Sequence, residues 1–323
     1  MTEQLKEKVV LIRAKIDDDL EKLPFSSPVS GFFKPIRYTL SSRGKRFRPI
    51  LVHLVGESLG AEYSDLAEAA LSIEILHAFT LVHDDIMDND ISRRGQPTIH
   101  VKWDVNTAIL AGDGLISLAF ETLMRSKAPD VVTMGKKFAS DMLEICEGQA
   151  LDIEFEHRTD VSTDDYLTMV KKKTGVLIEL ACQFGALAAG ADTKLVDQLG
   201  TFGLKIGQAF QIQDDLLEIT SDEKKMGKSL GSDIVRGKKT FPIVLAMSEM
   251  DDREKKNFIH FLKRNANHIV KVSDKLRSMG VVQKTEMYID SLFEESLSLL
   301  DEMPVLTRDY LLSFGSIIQK RQF

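Results

Sequence analysis

Two acidic segments of the chain have the spacing of a metal-binding site. Each has the form acid-acid-x-x-acid, and the acids are Asp84, Asp85 and Asp88 in HDDIMD and Asp214, Asp215 and Glu218 in QDDLLE. On a helix, the first and last acids of such a segment point about 40° apart, one turn along the same face. Two carboxylates held so close repel each other unless a cation lies between them. Oxygen ligands of this kind suit Mg²⁺, which keeps several waters and is usually shared with phosphate groups.

The alternative for each acidic segment is a solvated helix face, on which acidic pairs at this spacing are common. Strongly apolar residues flank both segments, in LHAFTLVHDDIM (76–87) and GQAFQIQDDLLEI (207–219). A carboxylate in such surroundings needs a partner. The two segments together therefore indicate paired metal sites that face each other across a cavity.

Polar side chains are aligned with the acids along the same predicted helices. His77 and Thr80 precede Asp84 by seven and four residues, and Gln211 precedes Asp215 by four. These spacings place all three on the side of the helix that carries the acids. A single histidine at helical spacing is also typical of an ordinary core position, so both interpretations of His77 stay open.

Short basic motifs elsewhere in the chain have the residue types that bind phosphate. An arginine side chain matches two phosphate oxygens at once, whereas lysine acts as a mobile point charge. The residues that we single out are Lys45 and Arg48 beside Gly44, Arg93 and Arg94, Lys173 with Thr174, and Lys228. Each motif alone is typical of a solvated surface patch. The arginine pair is more informative, because it directly follows an acidic helix and Gly95 and Pro97 turn the chain beyond it.

Composition and charge argue against several classes of protein. Lys and Arg number 42 against 49 Asp and Glu, and the net charge of −7 disfavours nucleic-acid binding, which normally requires a basic excess. The GKS at residues 227–229 is not a P-loop, since Asp222 stands where that motif requires glycine. The two cysteines make no disulfide framework, no apolar stretch resembles a membrane span, and the amino terminus lacks the apolar core of a signal peptide. We expect a soluble, cytoplasmic protein with no membrane span.

Proline spacing and apolar periodicity predict the elements that hold these residues. All eight prolines lie outside residues 130–241, where apolar residues recur at three- and four-residue intervals, as in successive helices. Strand and hairpin signals are weak. We predict helices over 3–22, 35–42, 47–58, 64–85, 105–125, 130–157, 163–190, 194–219, 242–250, 252–265, 268–279, 281–300 and 305–317, with a loop over 221–239. We expect a single all-α domain over residues 1–323.

Eight segments in a fixed order give the chain a resemblance to a known family. They are GKRFRP (44–49), LVHDDIMDNDISRRGQPTIH (81–100), GD (112–113), EGQALD (147–152), KKTG (172–175), FQIQDD (210–215), MGK (226–228) and GKKTFP (237–242). With them the chain resembles the trans-isoprenyl diphosphate synthases, or polyprenyl synthetases, and among these the short-chain geranylgeranyl diphosphate synthases. The resemblance implies an all-α isoprenoid synthase-type helical bundle around a central cavity, a homodimer, and prenyltransferase activity.

The resemblance also implies roles for the residues singled out above. Isopentenyl diphosphate and allylic diphosphates would be the substrates, and about three Mg²⁺ ions would bind the allylic diphosphate. The principal metal ligands would be Asp84, Asp88 and Asp214, supported by Asp85 and Asp215. The allylic diphosphate would contact Arg93, Lys173, Thr174, Gln211 and Lys228, and isopentenyl diphosphate would contact Gly44, Lys45, Arg48, His77 and Arg94. Glu218 stands where the family commonly has Asp, so a direct contact with metal is not implied for it.

Product length is the property in which members of this family mainly differ. By resemblance, Phe79 and Thr80, five and four residues before Asp84, would set the product length, and the acidic motif without insertion favours a C20 product. On the helix Phe79 lies about 140° from Asp84, so an ordinary core position is the alternative. Farnesyl diphosphate (C15) is the second choice and a longer product the third. A terpene cyclase or a non-catalytic regulatory subunit fits less well, because the GKRFRP and GKKTFP segments belong to isopentenyl diphosphate elongation and both acidic motifs are present.

Overall fold

The computed structural model describes residues 3–24, 29–220, 236–266 and 268–320, and these residues are helical almost throughout. The helices are α1 (Glu3–Glu21), α2 (Ser30–Leu40), α3 (Phe47–Ser58), α4 (Tyr63–Met87), α5 (Ile99–Lys102), α6 (Val105–Met124), α7 (Val131–His157), α8 (Thr163–Val170), α9 (Val176–Ala188), α10 (Thr193–Thr220), α11 (Phe241–Ser248), α12 (Asp252–Asn265), α13 (Ile269–Ser278), α14 (Val281–Ser298) and α15 (Val305–Lys320). A π-helix (Lys171–Gly175) joins α8 to α9, and two short strands, β1 (Ser92–Arg93) and β2 (Gln96–Pro97), lie between α4 and α5. The predicted all-α fold class is confirmed.

Local capping explains why some helices begin where the sequence predicts. At the start of α12, the Asp251 side chain accepts from the Glu254 amide, and the Glu254 side chain accepts from the Asp251 amide. Ser162 and Asp165 form the same reciprocal pair before α8. Such pairs satisfy backbone N–H groups that have no partner within the helix. The predicted bounds of α3 and α12 agree with the structure to the residue.

The start of α2 differs from the prediction. The sequence predicts a helix from residue 35, whereas α2 begins at Ser30 and contains Pro35 in its interior. A proline there removes one backbone hydrogen bond and crowds the preceding turn. Tertiary packing compensates, because α2 lies against α6 and the buried side chain of Ile36 reaches Gly114 of that helix.

A β-hairpin follows the first acidic segment. β1 and β2 pair in antiparallel orientation, with Arg93 opposite Gln96. The two turn residues, Arg94 and Gly95, have φ angles of 52° and 75°, which are typical of the tight turns that join twisted strands. The sequence predicts a turn here but no strands, because alternation cannot be detected in strands of two residues.

The helix predicted over 163–190 is interrupted by the π-helix. At this wider turn, the backbone lies directly against α7, and a Cβ atom on Gly148 would be 2.3 Å from the Lys173 backbone nitrogen. Only glycine at position 148 permits the two backbones to approach so closely. Single π-turns within helices are frequent at functional sites, and this one contains the KKKTG motif.

The chain divides by its internal contacts into two compact units. The first unit contains Met1–Ser140, Glu179–Thr201 and Leu299–Phe323, and the second unit contains Asp141–Ile178 and Phe202–Ser298. The expectation of a single domain over residues 1–323 stays a prediction.

Each unit has an apolar core of its own. In the first unit, α4 packs against α3 and α6, and Ile73 and Leu76 are fully buried. In the second unit, α11 packs against α8 and α14, and Phe241 and Phe293 are buried between helices. These cores hold the helices that carry the predicted site residues.

Two of the described helices, α4 and α6, have the length and apolar composition of a membrane span. Most residues in the apolar window of α4 are buried, whereas α6 packs against α4 and also exposes Ile109, Leu110 and Phe120. Core helices of globular proteins share the same length and composition. The expected absence of a membrane span therefore stays a prediction.

Candidate active site

Helix α4 carries five of the predicted site residues of the first unit, and a sixth, Asp88, is its C-cap residue. It begins at a reciprocal capping pair of Glu62 and Asp65, and its C-cap residue Asp88 donates its backbone N–H to the Asp84 carbonyl at 2.8 Å. Between these ends, buried side chains lie on nearly all sides of the helix. Close packing on all sides holds such a helix rigidly, so the spacing between His77 and Asp84 along it is fixed.

The middle acid of the first acidic segment has an internal partner. Asp85 is only 6% exposed and accepts a hydrogen bond from Arg93 Nε at 2.6 Å. Arg93 lies in β1, so the hairpin returns this arginine to the end of α4. Burial raises the pKa of Asp85 to about 6, and the Arg93 charge opposes the rise. The sequence assigns Arg93 to an allylic diphosphate, whereas here it neutralises a carboxylate of its own unit.

A buried arginine contacts the predicted histidine. Arg48, in the first turn of α3, has its Nη1 3.2 Å from His77 Nε2. Burial holds the pKa of His77 well below its usual 6.5, and the positive charge of Arg48 adds to this effect. His77 is therefore neutral at pH 7, and its Nε2 accepts the hydrogen bond that Arg48 donates. Two residues that the sequence assigns to isopentenyl diphosphate are thus in contact.

Arg94 and Glu74 complete the charged cluster. The Arg94 guanidinium lies beside Gly44, where a Cβ atom would be 2.6 Å from Nη1, so glycine makes room for it. Glu74 is 3% exposed, and its negative charge acts on both Arg48 and Arg94. Burial nevertheless lowers the pKa of Arg48 to about 10, helped by the nearby Arg94 charge. The cluster therefore holds more cationic groups than one buried carboxylate can balance.

Glu74, His77 and Arg94 line a pocket within the first unit, and Arg48 lies next to it through its contact with His77. Its charged and polar lining residues include Tyr38, Arg46, Glu74, His77, Asp85, Arg93 and Arg94. Both carboxylates are paired with arginines, Glu74 with Arg46 at 2.6 Å and Asp85 with Arg93. Because the acids are already balanced, the pocket has the positive character that favours an anion with several oxygens, such as a diphosphate.

In the second unit, the middle acid of the second acidic segment is also bound internally. Asp215 is 7% exposed and accepts hydrogen bonds from the Tyr166 hydroxyl, from Gln211 Nε2 at 3.0 Å and from the Phe241 backbone N–H at 2.9 Å. Gln211 Oε1 in turn accepts from the Thr174 hydroxyl at 3.0 Å. Thr174, Gln211 and Asp215, all predicted site residues, therefore form one hydrogen-bonded chain.

The π-helix places Lys173 against an acid of α7. Lys173 Nζ donates to Asp152 Oδ2 at 2.6 Å, and Lys238 Nζ is 3.8 Å from the same oxygen. Lys239 Nζ donates to the backbone carbonyls of Glu156 and Gly237, and burial lowers its pKa. Two lysines thus meet the Asp152 carboxylate, and a third donates to backbone carbonyls in the same region.

A second pocket, within the second unit, collects these groups. Its lining includes Asp152, Tyr166, Lys173, Thr174, Gln211, Asp215, Lys238, Lys239 and Thr240. Amide and hydroxyl groups lie beside the lysines, a combination that suits phosphate oxygens. The second unit thus has a polar, cationic pocket beside its own acidic segment, as the first unit has.

The predicted metal ligands are outer acids of the two segments. Asp84, Asp88 and Asp214 are partly exposed, unlike the buried Asp85 and Asp215. Among the described residues, which omit 221–235, no three His, Cys, Asp or Glu side chains are placed to hold a metal. Carboxylates one turn apart with access to solvent nevertheless fit Mg²⁺, because that ion completes its coordination with water and phosphate oxygens.

Two further lysines, Lys45 and Lys228, are predicted to contact the diphosphates. Lys45 is exposed at the surface. Lys228 lies in residues 221–235, outside the described part of the chain. Their roles stay predictions.

The residues predicted to set the product length lie on α4. Phe79 is buried, and its ring centroid is 4.8 Å from that of His83. His83 Nε2 is 3.3 Å from the Ile109 carbonyl of α6, so this aromatic pair reaches the neighbouring helix. The Thr80 hydroxyl donates to the His77 carbonyl at 2.9 Å.

Sequence reasoning assigned no role to five residues that organise the two pockets. They are Asp17, Arg46 and Glu74 in the first unit and Asp152 and Tyr166 in the second. Glu74 precedes His77 by three residues in an apolar helix, and Asp152 ends the EGQALD segment, so both had a detectable signal. Asp17 and Tyr166 had none, because their partners are distant in the sequence.

Comparison with known proteins identifies the family. Residues 30–279 match the polyprenyl synthetase family. The chain is 39% identical to the geranylgeranyl pyrophosphate synthase of Geoglobus acetivorans over 99% of both chains. It is 45% identical to the geranylfarnesyl diphosphate synthase of Natronomonas pharaonis over 68% of this chain and 70% of that one. The crystal structure of geranylgeranyl pyrophosphate synthetase from Pyrococcus horikoshii superposes with a TM-score of 0.90 at 33% identity, covering 99% of this chain and 100% of that chain.

The chain therefore belongs to the polyprenyl synthetase family. It is a prenyltransferase of isoprenoid biosynthesis that makes short-chain isoprenyl diphosphates. The family, enzyme class and helical-bundle fold predicted from the sequence are confirmed. Members of the family depend on Mg²⁺ and use isoprenyl diphosphates as substrates.

Proposed function

We propose that this enzyme condenses isopentenyl diphosphate with allylic diphosphates to form geranylgeranyl diphosphate, the C20 product. The observation that supports this most strongly is the pocket of the first unit. There, arginines and a neutral histidine line a pocket beside the helix that ends in the first acidic segment. A diphosphate needs several directed N–H donors, and this pocket supplies them without a covalent nucleophile.

Isopentenyl diphosphate binds in the pocket of the first unit. Lys45, Arg48, His77 and Arg94 contact its phosphates, and Gly44 leaves space for Arg94. The Arg48–His77 hydrogen bond orients both side chains before the substrate arrives. Such preorganisation supports catalysis, because less ordering is needed when the substrate binds.

The residues proposed for the allylic diphosphate belong to the acidic segment of each unit and to the pocket of the second unit. Asp84 and Asp88 of the first unit and Asp214 of the second would hold Mg²⁺, and Asp85 and Asp215 would support their own segments through internal hydrogen bonds. Direct contacts to this diphosphate come from Arg93, Lys173, Thr174, Gln211 and Lys228. Arg93 then exchanges part of its contact with Asp85 for a phosphate oxygen.

Charge explains the reaction. The acids that would hold about three Mg²⁺ ions would thereby supply positive charge, which favours departure of the diphosphate and ionisation of the allylic C–O bond. The double bond of isopentenyl diphosphate attacks the resulting carbocation, and a proton leaves to the released diphosphate. The protein positions the two substrates with its cationic residues and keeps water away with apolar ones.

Phe79 limits the growth of the product to C20. It is buried on α4 before the first acidic segment, and its contact with His83 connects it to α6. Relatives named as geranylgeranyl diphosphate synthases support this length. A relative named as a geranylfarnesyl diphosphate synthase is 45% identical, so C25 is the second candidate, ahead of C15.

We also propose that two copies associate through α6 into a cytoplasmic homodimer. The exposed apolar side chains of this helix are Val105, Ile109, Leu110, Phe120 and Met124. Apolar groups exposed in such number on one helix are typical of an interface. Association of two copies would cover them without a membrane. Light scattering on the purified protein tests this: a monomer mass at micromolar concentration would contradict it.

One assay tests the reaction itself. Purified protein is incubated with labelled isopentenyl diphosphate and a C5, C10 or C15 allylic primer, with and without Mg²⁺. We expect Mg²⁺-dependent incorporation of label, with C20 as the longest main product. Cyclic hydrocarbon from the primer alone would indicate a terpene cyclase, and no product with any primer would indicate a non-catalytic subunit.

A further inference from the structure

Arg46 lies between two predicted ligands of isopentenyl diphosphate, Lys45 and Arg48, yet the sequence assigns it no role. It is 6% exposed and caps the amino end of α3 with φ 52° and ψ 28°, a left-handed conformation. A residue other than glycine adopts this conformation at an energetic cost, and it persists only where the surroundings hold it.

Hydrogen bonds of the Arg46 side chain hold its backbone in this conformation. Its Nη1 donates to Glu74 at 2.6 Å, and its Nη2 donates to the carbonyls of Leu40 and Ser42 at 3.0 and 2.9 Å. Its Nε donates to Asp17 Oδ1 at 2.9 Å. One guanidinium thus connects the end of α2, the loop before α3, helix α4 and helix α1.

These connections meet at the substrate pocket. Glu74 lies one turn before His77 on α4, and Arg48 lies two residues after Arg46 and donates to His77. Arg46 itself lines the same pocket. The position of Lys45 in the loop before α3, and of Arg48 in the first turn of α3, relative to α4 therefore depends on the Arg46 guanidinium.

Helix α1 contacts Arg46 through Asp17. This helix lies outside the residues 30–279 that match the family. It is docked independently by the Asp19 carboxylate, which accepts from the Tyr63 hydroxyl at 2.8 Å, and by Lys15 Nζ, 4.5 Å from the Tyr63 ring centroid. Loss of the Asp17 carboxylate would therefore leave the helix docked while it removes one of the four Arg46 contacts.

We propose that Arg46 is a positioning residue of the isopentenyl diphosphate site, and that helix α1 is part of this site through Asp17. The inference rests on the proposed function, because the site is the one proposed above. The Asp17–Arg46–Glu74 chain holds Lys45 and Arg48 at the separation that a diphosphate requires, through hydrogen bonds to protein groups. Its loss weakens capture of isopentenyl diphosphate and leaves the allylic substrate unaffected.

The test compares Asp17→Asn with Asp18→Asn, its matched control. Asp18 is the next residue of α1 and pairs with Lys22 on the surface. We expect Asp17→Asn to raise the KM for isopentenyl diphosphate about tenfold, with kcat and the KM for the allylic primer within about twofold of wild type. Asp17→Glu, which keeps the charge, should recover most of the loss, Arg46→Lys should exceed it, and Asp18→Asn should match wild type.

A second measurement separates this inference from the proposed function. Binding of isopentenyl diphosphate alone is followed by titration calorimetry in wild type and in Asp17→Asn. A wild type that binds but does not condense would overturn the proposed function, while a binding loss confined to Asp17→Asn would still support the positioning role. Unchanged affinity in Asp17→Asn, or equal increases in both KM values together with a lower Tm, would overturn that role.

Discussion

The two acidic segments share a sequence pattern, but their middle acids are held by different chemistry. Asp85 is paired with a cation, Arg93, from a hairpin eight residues further along the chain. Asp215 instead accepts three hydrogen bonds from neutral donors, which belong to Tyr166, Gln211 and Phe241. The first carboxylate is balanced by charge, and the second is stabilised by directed N–H and O–H groups.

The difference has consequences for both units. The Arg93 side chain is one-third exposed, so it can be hydrated if its partner is lost, and it is available to a substrate. Tyr166 and Phe241 are buried, so their hydrogen bonds to Asp215 are shielded from water. The segment of the first unit is therefore suited to exchange partners during binding, whereas that of the second unit is a rigid support. In the first segment both outer acids, Asp84 and Asp88, are partly exposed, whereas in the second only Asp214 is, because Glu218 is buried.

The largest effect on turnover should come from the first acid of each segment, which is partly exposed in both. Because Asp84 and Asp214 are the proposed metal ligands of the two segments, Asp84→Ala and Asp214→Ala should each lower kcat by about three powers of ten or more. Steady-state assays at saturating Mg²⁺ measure this, with Asp274→Ala, an exposed acid of α13, as the control. Near-normal turnover in either variant would show that its acid does not bind the metal.

The middle acids should differ in their contribution to stability. Asp215→Asn replaces a carboxylate that accepts three hydrogen bonds with an amide that cannot accept all of them. This change should lower the free energy of unfolding by about 3 kcal/mol. Asp85→Asn leaves an arginine that can reach water, so the loss should be about 1 kcal/mol. Urea unfolding of the two variants measures the difference. Equal losses would remove the distinction between the two segments.

Product length should depend on the first unit. Phe79→Ala removes a buried ring before Asp84 and should lengthen the products by at least one isoprene unit, because the proposed end of the product cavity is lost. Reversed-phase chromatography of the dephosphorylated products measures the distribution. His83→Ala, which removes the neighbouring ring, should shift it in the same direction by less. An unchanged distribution in Phe79→Ala would place the stop elsewhere.

The smallest effect should be a loss of stability in mild acid, and it should arise in the first unit. Burial lowers the pKa of His77 and of His53 below the usual 6.5. Below about pH 6.5 the unfolded chain therefore binds protons that the native protein does not, and stability falls by up to about 1 kcal/mol per pH unit for each group. Asp85, with its pKa raised to about 6, acts in the opposite direction as the pH falls further.

Thermal unfolding between about pH 7.5 and pH 5.5 measures this dependence. We expect a lower Tm at the acidic end in wild type, and a smaller decrease in His77→Gln, which has no proton to gain. His260→Gln, on the surface helix α12, is the matched control and should behave as wild type. A His77→Gln profile parallel to that of wild type would contradict the assignment of a buried neutral histidine.

Helices with strong local signals were predictable from the sequence. The bounds of α12 agree to the residue, because Asp251 and Glu254 form a capping pair that is local in the chain. Two features could not be predicted in this way. The helical turn before Pro35 depends on packing against α6, and the π-helix depends on the backbone of Gly148 in a different helix.

The sequence by itself determined which acids share a helix face and which family the motifs belong to, since periodicity and motif order are local properties. It also predicted site roles for His77, Arg48, Thr174 and Gln211, which the structure places in or beside the two pockets. Only the tertiary structure decided which acids have internal partners. The donors to Asp215 from Tyr166 and Phe241 lie 49 and 26 residues away in the chain, and the arginine that organises the first pocket reaches 29 residues back to Asp17 and 28 forward to Glu74. Contacts over such distances are set by how helices pack, which no local pattern of residues records.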